Sequence, residues 1–98
     1  MSGFEFTPEA LEDIQEIWLW IAQDNPEAAD KLEADIYRAC ELLAGNPHLG
    51  HKRPDLTRYP LRFWTVRSHY IVVYDPVGKP LRIVRVLHGA RDITADME

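Results

Sequence analysis

The sequence predicts an α+β domain with the order β-α-α-β-β-β, a helical hairpin packed on one face of a small, mainly antiparallel sheet. Three observations point there. Apolar residues recur every three or four positions in the first half of the chain and every two in the second. Prolines and glycines mark the joints between these segments. Charge is sorted by half: residues 1–46 hold eleven acids against Lys31 and Arg38, whereas residues 47–98 hold nine bases against five acids. The overall charge of −5 therefore hides an acidic helical pole and a basic strand pole. The two poles are expected on different layers, and a basic sheet surface suits an anionic partner.

Phe4-Glu5-Phe6 alternates apolar and polar, as a short first strand does. Thr7 is placed to cap the following helix, with Pro8 as its first residue. Leu11, Ile14, Ile17, Trp18 and Ile21 then form one stripe along that helix, and Trp20 lies off it. Glu9, Glu12, Asp13 and Glu16 crowd its early turns, where the helix dipole favours acids. Asp24-Asn25-Pro26 breaks this helix and starts another, whose stripe is Ala29, Leu32, Ile36, Ala39 and Leu43. It ends at Gly45-Asn46-Pro47. So short a break predicts an antiparallel hairpin, with Ile17, Trp18, Ile21, Leu32 and Ile36 at the centre of its packing on the sheet.

Residues 47–60 contain three prolines and no periodicity, so they read as a loop that His48, Leu49 and Leu56 can pack down. Beyond them the period becomes two. Residues 61–66 and 69–74 read as strands joined by a tight turn at Arg67-Ser68, and residues 81–88 as a third strand after a turn at 75–80. Such short connections require an antiparallel meander.

The 98 residues are enough for one domain, read as 1–98, with 46% apolar and 28% charged residues as in ordinary globular chains. No apolar run reaches the roughly 20 residues of a membrane span, and no secretory leader is evident, so no membrane partner is expected. The single cysteine, Cys40, allows no internal disulfide, which fits a reducing cytoplasm, and its helix position suits a small core residue. Net acidity argues against direct, sequence-specific nucleic-acid binding. His48, His51, His69 and His88 lack metal-ligand spacing, and there is no glycine-rich phosphate loop or Ser/His/Asp arrangement; neither metal nor cofactor is expected.

Several segments resemble the ParE branch of the RelE/ParE superfamily of bacterial toxins. Phe6-Thr7-Pro8-Glu9-Ala10, followed by Asp13-Ile14-Gln15-Glu16-Ile17, is similar to that family's opening helix. Asn25-Pro26-Glu27-Ala28-Ala29 resembles its helix junction, and Pro47-His48-Leu49-Gly50 its loop. Residues Val84 to Asp92 resemble its closing strand and tail. The order of these segments matches over nearly the whole chain. The resemblance implies the toxin of a type II toxin–antitoxin module of the kind that stabilises plasmids or chromosomes. It implies silencing by a ParD-like antitoxin whose C-terminal segment wraps around the toxin. It further implies DNA gyrase as the target, as in ParE-like members, rather than messenger RNA cut on the ribosome, as in RelE-like ones.

RNA cleavage through the 2′-hydroxyl needs a base, an acid for the leaving oxygen and cations on the strained phosphate. The available parts are Arg67, Arg85 and His88. Tyr70 and Ile71 precede Val72-Val73-Tyr74 where some relatives present an arginine, and Gly89 follows His88 where some place a tyrosine. The constellation is incomplete, which favours a toxin that binds over one that cuts. No catalytic residue is assigned, His88 being the one candidate, and the expected partner contacts are Arg67, Arg85, Arg91, Tyr70 and Trp64. By strand parity Arg85 faces away from the helices unless it pairs with an acid, and Arg82 lies on the face opposite to it. The alternatives are a ribosome-dependent endoribonuclease of RelE type and a non-toxic, antitoxin-binding homologue.

Overall fold

A computed structural model describes residues 3–89, in which two helices pack on a five-stranded mixed sheet. The chain order is β1 (Phe4–Phe6), α1 (Pro8–Ala22), α2 (Pro26–Gly45), β2 (His51–Lys52), β3 (Arg62–Val66), β4 (Tyr70–Asp75) and β5 (Leu81–His88). The sheet order is β1-β5-β4-β3-β2. β3, β4 and β5 form the expected antiparallel meander, while β1 joins β5 in parallel, with Phe6 opposite Ile83. No described helix is long and apolar enough to cross a membrane.

Both helices start as the sequence requires. Thr7 Oγ1 accepts the Ala10 N–H at 3.1 Å and donates to the Val84 carbonyl at 2.7 Å, so one side chain caps α1 and ties it to β5. Asn25 caps α2 by accepting the Ala28 N–H at 3.1 Å. The faces turned to the sheet bury Ala10, Ile14 and Ile17 from α1, and Ala29, Leu32, Ile36, Cys40 and Leu43 from α2. All but Ala29 meet Val66, Val72, Tyr74, Ile83 and Val86 in the main core. Each large side chain buried there is worth about 1.5–3 kcal/mol.

The predicted α1 stripe is displaced by part of a turn. Ile14 and Ile17 are buried, Trp18 and Ile21 are half-buried, and Leu11 is 50% exposed. Leu11 instead lines an outer groove of about 440 Å³ between the helices, together with Trp18, Leu19 and Tyr37. Trp18 keeps its indole N–H satisfied there by donating to Asp30 Oδ1 at 2.8 Å.

The segment 47–60 also differs from a plain loop. His51–Lys52 forms the short edge strand β2, paired with Arg62 and Phe63. Leu56 packs against a second cluster, Phe63, Val73 and Leu87, on the sheet face away from the helices. His48 and Leu49 stay exposed. The loop thus covers the sheet's outer face, which is why both faces of the meander carry apolar residues.

A β-bulge corrects the parity argument for the arginines. Val73 stands opposite Arg85 and Tyr74 opposite Ile83, so Val84 has no counterpart in β4. The extra residue restores Arg82 and Arg85 to the same face of the sheet, where an uninterrupted strand would have separated them.

Candidate functional site

At the end of the sheet where β4 begins and β5 ends, Tyr70 and His88 are paired in register on the helix face. Their rings meet edge to face with centroids 5.4 Å apart and planes at 80°. Ile17 and Trp20 from α1 complete a hollow of about 270 Å³ over this pair. Trp20, off the helix stripe in the sequence, is 67% exposed and supplies the rim. Trp64 shares this face of the sheet and is half-buried against the main core, opposite Val72. The hollow thus presents an indole, a phenol and an imidazole around an isoleucine, a surface with the chemistry to seat an apolar or aromatic side chain.

The basic candidates among the described residues, Arg85 and Arg67, are each engaged by a carboxylate. Arg85 Nε and Nη2 donate to Asp13 Oδ2 and Oδ1 at 2.7 and 2.9 Å, a bidentate pair with a quarter or less of either side chain exposed. Asp13 Oδ2 also accepts the Val86 N–H at 3.0 Å. That donor lies past Ile83, where β1 has already turned into α1, so the Asp13 carboxylate takes the place of a strand. Arg85 therefore meets the condition set for it in the sequence: its register is that of the outer face, yet its guanidinium reaches an acid on α1.

Arg67 sits in the β3–β4 turn with φ of 52°, followed by Ser68 with φ of 63°. Two successive left-handed residues make the tight turn expected from the sequence, at a conformational cost of about 1–2 kcal/mol each for residues with a Cβ. The turn carries the Arg67 guanidinium to Asp35 on α2, which also pairs with Arg38. Arg91 lies outside the described residues.

Sequence reasoning found Tyr70, His88 and the arginines but not their acidic partners. Asp13 read as a dipole-favoured acid at a helix start, and nothing local links it to Arg85, 72 positions later. The mutual placement of the candidates is only partly that of one site. Tyr70 and His88 share the hollow, Trp64 lies on the same sheet face, and Arg67 and Arg85 are tied to different helices. Among the described residues no group of three or more His, Cys, Asp or Glu side chains is arranged to hold a metal ion.

A protein-family model described as "ParE toxin of type II toxin-antitoxin system, parDE" matches residues 4–93. Among curated proteins none matches the sequence. Among solved structures, a chain titled "Chromosomal ParDE TA system from P. aeruginosa" superposes with a TM-score of 0.69 at 24% identity, covering 90% of this chain and 96% of that one. At that identity the likeness speaks to the fold, and the fold is the same.

Proposed function

This chain belongs to the ParE toxin family of type II toxin–antitoxin systems, and we propose that it acts by binding DNA gyrase and is silenced by a ParD-like antitoxin. The observation that carries the binding reading is the state of the guanidiniums. Cleaving RNA requires cations free to take the charge that builds on the phosphate. Arg85 is held by Asp13 and Arg67 by Asp35, so a phosphate would have to displace a bonded carboxylate at either place. The aromatic hollow at Tyr70 and His88 supports the same reading, because it offers a partner buried apolar contact rather than charge. The choice of gyrase follows from family membership.

One feature favours the endoribonuclease alternative: Tyr70 and His88, a phenol and an imidazole, stand together at the hollow. The two readings separate in one experiment. Relaxed plasmid is incubated with gyrase and ATP, with and without the toxin, alongside a translating extract carrying labelled messenger RNA. Loss of supercoiling, or gyrase-linked broken DNA, with intact messenger RNA and recovery on adding the antitoxin is the expected result. Cut messenger RNA with unaffected gyrase would establish the nuclease instead.

A further inference from the structure

The β2–β3 loop is built as a platform. Residues 51–61 carry Lys52, Arg53 and Arg58 against a single acid, Asp55, which accepts from Arg53 Nε and Nη2 at 3.1 and 2.9 Å, so Lys52 and Arg58 are the cations left to a partner. The loop is braced from beneath and within. Leu56 and Leu61 pack on Phe63, Val73 and Leu87, and Thr57 is 7% exposed. The N–H groups of Leu56 and Thr57 donate to the Arg53 carbonyl at 2.9 and 3.2 Å, and the Tyr59 N–H donates to Thr57 Oγ1 at 3.1 Å. On this frame the Arg58 guanidinium carbon stands 5.6 Å from the centre of the Tyr59 ring, which is itself 56% exposed. Lys52, Arg53, Arg58, Tyr59 and Leu61, with the loop prolines, surround a hollow of about 280 Å³. It lies on the face of the sheet opposite both the acidic helices and the hollow at Tyr70 and His88.

We propose that this platform is a docking surface for an acidic peptide segment of a partner protein, with carboxylates on Lys52 and Arg58 and one apolar side chain seated between Tyr59 and Leu61. Charge complementarity carries the assignment, and the small number of cations selects the kind of anion. A peptide can end its charge where the platform ends. A nucleic-acid strand carries a charge at every nucleotide, more than Lys52 and Arg58 can match. The inference is independent of whether gyrase is the target.

The test uses the full chain and nitrogen-15 amide spectra, titrated with polyglutamate and, separately, with a single-stranded oligothymidylate. Polyglutamate is expected to shift the amides of Lys52, Arg53, Arg58 and Tyr59. The affinity should drop by about tenfold or more between about 50 and 500 mM salt, over which the Debye length shrinks roughly threefold. The Lys52→Glu/Arg58→Glu double variant should lose the response with an unchanged melting temperature; should that variant fold poorly, Lys52→Gln/Arg58→Gln replaces it. Undiminished binding by the folded variant, shifts that avoid residues 51–61, or tighter binding of oligothymidylate at the same amides would each overturn the proposal.

Discussion

Tyr74 and Gly50 approach so closely that no side chain fits between them. The Gly50 N–H donates to the Tyr74 phenol oxygen at 2.8 Å, and that hydroxyl donates onward to the Pro47 carbonyl at 2.7 Å. A Cβ added at Gly50 would lie 2.5 Å from the phenol oxygen and 2.8 Å from Cε1 of the ring. Tyr74 is fully buried in the main core, so it cannot swing aside. Arg62 Nη1 completes the clamp from the other side by donating to the Gly50 carbonyl at 2.7 Å. The loop leaving α2 is thus fastened to the centre of the sheet by one phenol.

Gly50→Ala should therefore lower stability by about 1–3 kcal/mol, the usual range for overpacking. Tyr74→Phe should cost about 1–2 kcal/mol through the two lost hydrogen bonds. In the Tyr74→Phe background the alanine should cost less, because the nearest clashing atom is gone. A double-mutant cycle by urea denaturation measures this; additive effects would show that the contact is not tight in solution.

Asp13→Ala should destabilise more than Arg85→Ala. Both break the bidentate pair, but the aspartate change also strands the Val86 N–H, whose loss is worth about 1–3 kcal/mol when the donor has no replacement. The Asp13→Ala/Arg85→Ala double variant should recover part of the loss, since no uncompensated charge remains. Chemical denaturation of the three proteins decides it, and equal losses for the two single variants would contradict the bridging role of Asp13.

Alkaline pH should unfold the protein progressively. Burial pushes the Cys40 thiol up to about 12 from an ordinary 9.0, and burial raises the Tyr74 phenol as well. A folded value above the unfolded one means that the contribution is fully present below the unfolded value. It is lost as pH rises from about 9 toward 12, because the unfolded chain ionises first. The slope from one such group approaches about 1.4 kcal/mol per pH unit. Cys40→Ala should make the fall above pH 9 shallower, and an unchanged slope in that variant would mean that the thiol is not the titrating group.

His88→Ala should weaken growth arrest only in part, as the loss of one contact in the hollow does, and charge reversal at Arg67 or Arg91 should weaken it too. A binding toxin tolerates the loss of one proton-transfer group, while a nuclease loses on the order of 10²-fold or more with its acid or base. Induction in cells scores arrest, with the melting temperature confirming that each variant is folded. Arrest abolished by His88→Ala in a folded protein, with messenger RNA cut in translating extracts by the parent, would support cleavage over binding. Because Arg67 is paired with Asp35, its reversal should also be made together with Asp35→Lys, which restores the ion pair but not a cationic surface at the turn.

The sequence by itself determined where each helix begins, because Thr7-Pro8 and Asn25-Pro26 are local signals that act within one turn. It determined the three strands of the meander, because alternation and short turns leave no other pairing. It placed Cys40 in the core and the Arg67-Ser68 turn between β3 and β4 for the same local reasons. Tertiary structure alone decided which part of each apolar stripe is buried: a stripe marks a helix face, but the sheet and the neighbouring helix set how much of that face they cover, and Leu11 falls outside it. β2 was illegible because two residues carry no period and need Arg62 and Phe63 as a template. The bulge at Val84 overturned the parity of Arg82 and Arg85, since counting by twos holds only along an unbroken ladder. The ion pairs Asp13–Arg85 and Asp35–Arg67 arise from chain segments brought together by the fold, and no spacing along the chain encodes a contact that depends on where α1 and α2 come to rest on the sheet.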